Sequence, residues 1–265
     1  MSPAPLSLPR EPGGHIALVG AGPGARDLLT FRAATRIAQA DVIFYDRLVD
    51  PAVLDIARPQ ADRIYVGKAV GANAWPQDRI CALIVAQARQ GHRVVRLKSG
   101  DPGLFGRAEE ELAAARQAGI PVEIVPGVTA ASAAAAALGE PLTKRGETER
   151  VVLATATCRD GDGLPDLAAC AQPGTTLALY MATRQLDAVH AALADAGWPP
   201  ATRVTAVASA SCDNQKTLQT TLGAMRTDIP AQGIANPAIL FVTLPKPATE
   251  KAGAANPAPA LLQIG

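Results

Sequence analysis

Apolar residues recur along this chain in two rhythms. Short runs of about four, bounded by turn residues, alternate with longer stretches in which apolar positions return every three or four residues. In the first half the runs Ile16–Val19, Val42–Tyr45, Ile64–Val66, Val94–Leu97 and Val122–Val125 read as buried strands. Between them Leu28–Ala40, Arg79–Gln90, Ala108–Ala118 and Thr129–Leu138 read as helices. Asp27 and Thr30 stand near the start of the first, and Gly91 and Gly119 stop the next two. Strands alternating with helices at this spacing predict a mainly parallel sheet covered on both faces, joined by right-handed crossovers.

Past Leu138 the pattern breaks into a polar stretch holding a proline and a glycine, and 141–150 is expected to be a linker. A second α/β set follows, with strands at Val151–Thr155, Thr176–Tyr180, Val204–Ala208, Thr217–Thr220 and Ala238–Val242 and a helix at Gln185–Ala196. Several of these strands are open to antiparallel pairing. The expected organisation is a loose arm at 1–14, α/β domains at 15–140 and 151–245, and a disordered proline- and alanine-rich tail at 246–265.

Composition narrows the function classes. Hydrophobic residues make up 48% and charged residues 18%, enough apolar material for a core, while aromatics are only 3%, too few for stacking platforms along a single-stranded nucleic acid. The formal net charge of +1 gives no global attraction to nucleic acid or anionic lipid, so any anion recognition is local. Cys81, Cys158, Cys170 and Cys212 show no ligand spacing, so no metal is expected and a reduced cytoplasmic chain is. No run approaches the roughly 20 apolar residues of a membrane span. The first fourteen residues lack the basic-then-apolar layout of a secretion signal. His15, His92 and His190 stand in unrelated contexts and are assigned no chemistry.

Two glycine-rich turns leave apolar strands directly, Gly20-Ala21-Gly22-Pro23-Gly24 and Ser99-Gly100-Asp101-Pro102-Gly103. Glycine lets backbone approach backbone or ligand closely, so the pair points to a ligand held where strand ends meet. Gly20-x-Gly22-x-x-Ala25, with Asp46 closing the next strand, also fits a dinucleotide fingerprint and a nicotinamide oxidoreductase. Against that stand Pro23, which removes an N–H where a pyrophosphate would need one, the carboxylate of Asp27 nearby, and the unexplained second turn.

Both turns together resemble those of the tetrapyrrole methylases, and among them the uroporphyrinogen-III C-methyltransferases. The resemblance is carried by Val19-Gly20-Ala21-Gly22-Pro23-Gly24, Tyr45-Asp46-Arg47-Leu48-Val49, Val66-Gly67-Lys68, Arg96-Leu97-Lys98-Ser99-Gly100-Asp101-Pro102, Phe105-Gly106-Arg107, Val125-Pro126-Gly127-Val128-Thr129-Ala130, Pro141-Leu142-Thr143 and Tyr180-Met181, and runs from about Ile16 to Val242. It implies two α/β domains with the active site in the cleft between them. It implies S-adenosylmethionine as methyl donor, touched by Pro23, Ser99, Gly100, Asp101, Leu104, Thr129, Ala130, Met181 and Ala210. The implied activity is C-methylation of uroporphyrinogen III to precorrin-2 by a homodimer, with another corrin-pathway C-methylation as the alternative.

The resemblance also assigns roles, and each residue keeps a plainer reading beside it. Asp46 would accept the proton that leaves the ring, or cap a turn before Arg47. Lys68 would donate a proton, or be a solvated loop lysine. Arg47 and Arg107 would read the substrate's carboxylates with their guanidinium forks, or form surface pairs with neighbours such as Glu109–Glu111. Glu110 would orient an arginine in the substrate site. Asp101 would bond the cofactor or only hold its own turn, and Met181 would line the cofactor or fill core. The chain departs from the family pattern at Ala69, Ser99, Gly103, Ala108, Lys144 and Ala154–Thr157. The departures leave the backbone turns intact and bear on the identity of the tetrapyrrole.

Overall fold

The computed structural model of the chain describes residues 13–67, 75–157, 164–170 and 172–247. Lys68, Ala69 and Cys158 lie outside the described residues, as do most of the arm and tail.

The first half builds a five-stranded parallel sheet from β1 (His15–Gly20), β2 (Val42–Tyr45), β3 (Asp62–Tyr65), β4 (Arg93–Lys98) and β5 (Val122–Val125). Its order is β3-β2-β4-β1-β5. The central strands β1 and β4 are buried almost end to end, which is why β1 runs apolar from Ile16 to Val19 without alternation, while β4 buries Arg96 and Lys98 along with Val94, Val95 and Leu97. The edges are more polar. One face packs on α1 (Phe31–Gln39) and α2 (Pro51–Leu54) through Val19, Ile43, Val95, Ala33, Ile37 and Val53. The other packs on α3 (Gln77–Arg89) and α4 (Ala108–Gln117) through Leu18, Phe44, Val94, Ile80, Ile84 and Ala115. Burying a side chain as large as Phe44 contributes roughly 1.5–3 kcal/mol, and Phe44 is fully buried.

Helix α1 begins at Phe31, not Leu28. Thr30 is its N-cap, accepting the Ala33 N–H at 3.1 Å, and Arg26–Leu28 forms a separate 3-10 turn. Asp50 caps α2 in the same way, with Pro51 at its first position.

The second half is a mixed sheet of β6 (Arg150–Thr155), β7 (Thr175–Tyr180), β8 (Arg203–Ala208), β9 (Lys216–Thr221) and β10 (Ala238–Leu244), in the order β6-β7-β10-β8-β9. Only β6 and β7 run parallel, and the remaining pairs are antiparallel. Helices α6 (Leu186–Asp195) and α7 (Met225–Ala231) cover one face through Val189, Leu193, Met225 and Ile229. The other face is covered by α5 (Ala130–Leu138), which follows β5 in the chain. Its Ala131, Ala133, Ala134 and Ala135 form one buried cluster with Ala178, Val207, Ile239 and Phe241. Small side chains let this helix lie close on the sheet, and the two halves meet through it.

Candidate active site

The carboxyl ends of the parallel strands carry the loops that matter, as expected for an open α/β sheet. The two glycine turns are bonded to each other. The Gly22 N–H donates to Gly100 O at 3.2 Å, the Gly100 N–H returns to Gly22 O at 2.6 Å, and the Ala21 N–H donates to Lys98 O at 2.7 Å. A third loop closes on them. A Cβ on Gly127 would lie 2.2 Å from Gly100 O, and one on Gly20 would lie 2.6 Å from Gly127 N, so neither position admits a side chain without displacing backbone. Asp101 ties the assembly, its Oδ1 accepting the Gly103 N–H at 2.8 Å and its Oδ2 the Gly127 N–H at 3.0 Å. Gly100 has φ +69°, and the nearest atom to a Cβ built there is Ala130 N at 3.8 Å, so a backbone concavity opens beside it toward the start of α5.

This geometry removes the dinucleotide alternative. In that fold the acid closing the second strand reaches the ribose because the second strand lies beside the first. Here β4 stands between β1 and β2. The N–H groups of Ala21 and Gly22 are also spent on the second turn.

The second half reaches the same place. The Tyr180 hydroxyl accepts the Ala131 N–H at 3.2 Å and shares a hydrogen bond with Thr129 Oγ1, while its ring lies 4.9 Å from that of Phe105. A Cβ on Gly24 would lie 2.3 Å from Cys212 Sγ and 3.8 Å from Ala210 O, so the first turn abuts the segment carrying Ala210. Met181 follows Tyr180 at φ +56° and is partly exposed, so it is not core filler. Phe105, Arg107, Ser209 and Ser211 also hold positive φ. Such conformations cost of order 1–3 kcal/mol each and cluster where the surroundings over-determine them. Pro23, Ser99, Gly100, Asp101, Leu104, Thr129, Ala130, Met181 and Ala210 therefore all lie on this connected set of loops.

The substrate-side residues are distributed differently. Asp46 ends β2 with its Oδ1 accepting the Leu48 N–H at 3.1 Å and its Oδ2 accepting from Arg96 Nη2 at 3.3 Å. Arg47 is exposed beside it. Gly67 packs against the Arg47 backbone and the Tyr65 ring. Arg107 and Glu110 pair bidentately at 2.7 and 2.9 Å, with Arg107 62% exposed. Lys144 pairs with Glu147 on the surface.

Sequence reasoning passed over one group. Behind Asp46, between the sheet and α3–α4, Arg96 and Lys98 converge on Glu111, whose side chain is fully buried. Arg96 Nε donates to Glu111 Oε1 at 3.1 Å, Lys98 Nζ at 3.0 Å and Gln77 Nε2 at 3.1 Å. Lys98 Nζ also lies 2.9 Å from Oε2, a Coulombic contact without hydrogen-bond direction. Burial pulls the Lys98 ammonium below its usual pKa, with Arg96 acting in the same sense and Glu111 opposing. The available signal was two charges at alternate positions of a strand whose neighbours are all apolar.

A cavity of about 700 Å³ lies elsewhere, at the far end of the second sheet, lined by Leu138, Lys144, Thr176, Thr205 and Phe241 among others. None of the expected site residues lines it. Among the described residues no group of three or more His, Cys, Asp or Glu is placed to hold a metal, and no helix is long and apolar enough to cross a membrane.

Known proteins resemble this chain in sequence and in fold. A siroheme synthase from Chromobacterium violaceum is 45% identical over 229 residues, 86% of this chain and 49% of that protein. The chain spans about half the length of the curated relatives it matches. A uroporphyrin-III C-methyl transferase from Thermus thermophilus, solved with S-adenyl homocysteine, superposes with TM-score 0.74 at 34% identity, covering 87% of this chain and 92% of that one. A cobalt precorrin-4 methyltransferase superposes with TM-score 0.76 at 28% identity, covering 86% and 94%. The family model described as Tetrapyrrole (Corrin/Porphyrin) Methylases matches residues 15–226, both glycine turns, Asp46 and the Tyr180–Met181 corner included, and the chain belongs to that family.

Proposed function

We propose that this chain is an S-adenosylmethionine-dependent methyltransferase that converts uroporphyrinogen III to precorrin-2 by two successive C-methylations. One observation carries the reading: three loops are locked by the Gly22–Gly100 bridge and the Asp101–Gly127 bond into a backbone concavity facing α5 and the Tyr180–Met181 corner. The Thermus thermophilus neighbour solved with S-adenyl homocysteine supports it.

The residues fit such a cofactor. A Cβ at Gly100 would have room, its nearest neighbour being Ala130 N at 3.8 Å, and Pro23, Ser99, Leu104, Thr129, Ala130, Met181 and Ala210, on the loops that meet there, would hold the group. Bound there, S-adenosylmethionine supplies an electrophilic methyl group on a sulfonium. The chain's own work is to hold partners in line, which is worth several kcal/mol, and to remove a proton. Asp46 accepts that proton at a carboxylate oxygen, so each methyl cation gained is matched by one proton lost, and a proton that Lys68 adds at one ring position is offset by a further one lost at another. Arg47 and Arg107 bind substrate carboxylates. Arg107 leaves Glu110 to do so at little cost, because exposed ion pairs contribute only about 0–1 kcal/mol.

A second reading within the family, a different corrin-pathway C-methylation, is favoured by the match to the cobalt precorrin-4 methyltransferase. Mass spectrometry of the product from uroporphyrinogen III and labelled methyl donor decides between them. Two added methyl groups support the first reading. No methylation of uroporphyrinogen III, with turnover of another tetrapyrrole in competition, supports the second. We place the protein in the cytoplasm and propose a homodimer, which sedimentation tests.

A further inference from the structure

We propose that Arg96 is a positioning residue for the Asp46 carboxylate, and that Glu111 in turn sets Arg96. The proposal rests on the reading of Asp46 as proton acceptor and extends it into the protein interior.

The guanidinium holds four acceptors at once. Nη2 reaches Asp46 Oδ2 at 3.3 Å, Nη1 donates to Leu97 O at 2.8 Å and to Phe44 O at 3.5 Å, and Nε donates to Glu111 Oε1 at 3.1 Å. Phe44 lies two residues before Asp46 on β2, and strand register places Arg96 directly beside it. One rigid fork therefore grips both the strand that carries Asp46 and the carboxylate itself. Glu111 is held from the other side by Lys98 and by Gln77 at the start of α3, so the anchor rests on β4, α3 and α4 together.

Exposure falls steeply along this chain of groups. Asp46 is 30% exposed, Arg96 6% and Glu111 0%. A dry charged cluster is a poor device for stability, since well-packed apolar residues of similar volume commonly do as well or better. Arg96 and Lys98 occupy buried positions of β4, of the kind that aliphatic side chains ordinarily fill. What an apolar replacement could not do is point a fixed donor at the carboxylate on the strand end. With Oδ1 bonded to the Leu48 N–H and Oδ2 to Arg96, both carboxylate oxygens are held, and each keeps acceptor capacity beyond these bonds. Among the described residues Arg96 and Lys98 on β4 act on Asp46, Arg47 follows it in the chain, and Glu111 on α4 stands behind Arg96.

The test is a double-mutant cycle on the full chain with Asp46→Asn, Arg96→Gln and the pair. The readouts are single-turnover methylation of uroporphyrinogen III by mass spectrometry and calorimetric affinity for S-adenosylhomocysteine. Arg96→Gln should slow methylation about tenfold or more, the scale of misplacing a reacting group, and leave S-adenosylhomocysteine affinity within about twofold. In the Asp46→Asn background the same change should alter the rate less than about twofold, because groups acting as a unit are not additive. Equal slowing in both backgrounds overturns the proposal while leaving Asp46 as base. A parental rate for Asp46→Asn alone removes the base assignment, and the proposal with it. Should Arg96→Gln fail to fold, Glu111→Gln takes its place in the cycle. It keeps the guanidinium and the packing but loosens the anchor, and slowing equal in both backgrounds again refutes the idea.

Discussion

Two arginine–carboxylate pairs stand at the carboxyl edge of the same sheet and differ in almost everything but chemistry. Arg107 and Glu110 meet in a short bidentate pair, both well exposed, at the left-handed start of α4. Arg96 meets Glu111, the very next residue of that helix but on its buried side, in a dry pocket, with Asp46 at the outer end of the arginine. Solvent makes the first pair nearly free to exchange partners, which is what the substrate-reading role proposed for Arg107 requires. Burial makes the second costly to disturb, as an anchor must be. Function separates along exposure, and the shorter contact is the weaker one.

The sharpest break of this contrast is at its catalytic end. Asp46→Asn should cut turnover about 10²–10⁴-fold, the range for a lost general base, without changing S-adenosylhomocysteine affinity; an unchanged rate removes the role. Next in size, Glu111→Leu strands Arg96 and Lys98 without their carboxylate and should cost about 3–5 kcal/mol in urea unfolding. A loss under 1 kcal/mol would mean the cluster is hydrated and not an anchor. Gly127→Ala drives a methyl group into Gly100 O and should cost about 1–3 kcal/mol by overpacking, with S-adenosylhomocysteine affinity falling in parallel in calorimetry. At the opposite, amino end of the sheet Asp41 provides a control pair. Desolvation alone would raise its pKa, but hydrogen bonds from the Arg93 side chain and backbone, with the charges of Arg93 and Arg58, bring it down to about 2. A depressed carboxyl stabilises the fold above its unfolded pKa, near 3.9, and that stabilisation disappears as pH falls toward 2. Asp41→Asn should flatten the stability profile across that window and leave methylation untouched. Smallest of all, Glu110→Ala should change stability by less than about 1 kcal/mol while altering the Michaelis constant for the tetrapyrrole.

The glycine turns, all ten strands and Asp46 at a strand end were legible in the sequence, because periodicity and turn chemistry act locally; the short helices α2 and α7 were not, being too brief to show a helical period. Thr30 shows the limit at an element boundary: it was visible as a capping candidate, yet apolar Leu28 and Leu29 drew the helix three residues too far. The Arg96–Lys98–Glu111 cluster was not legible, since a charge in a strand reads as solvated until the helices above it are placed. Nor was the destination of α5. Its sequence AASAAAAAL is small and apolar on nearly every side, so no stripe announces which sheet it will cover.

That helix has a consequence for anyone who divides the molecule. Severing the backbone within 139–149 would separate the alanine face from Ala178, Val207 and Phe241 and leave a greasy strip on each fragment. Severing it at Gly127-Val128 would keep the helix with the strands it shields. The natural seam for split-reporter fragments or permuted termini thus runs through the cradle loop itself, and the two pieces should reassemble only when that loop is rejoined or bridged by a bound small molecule.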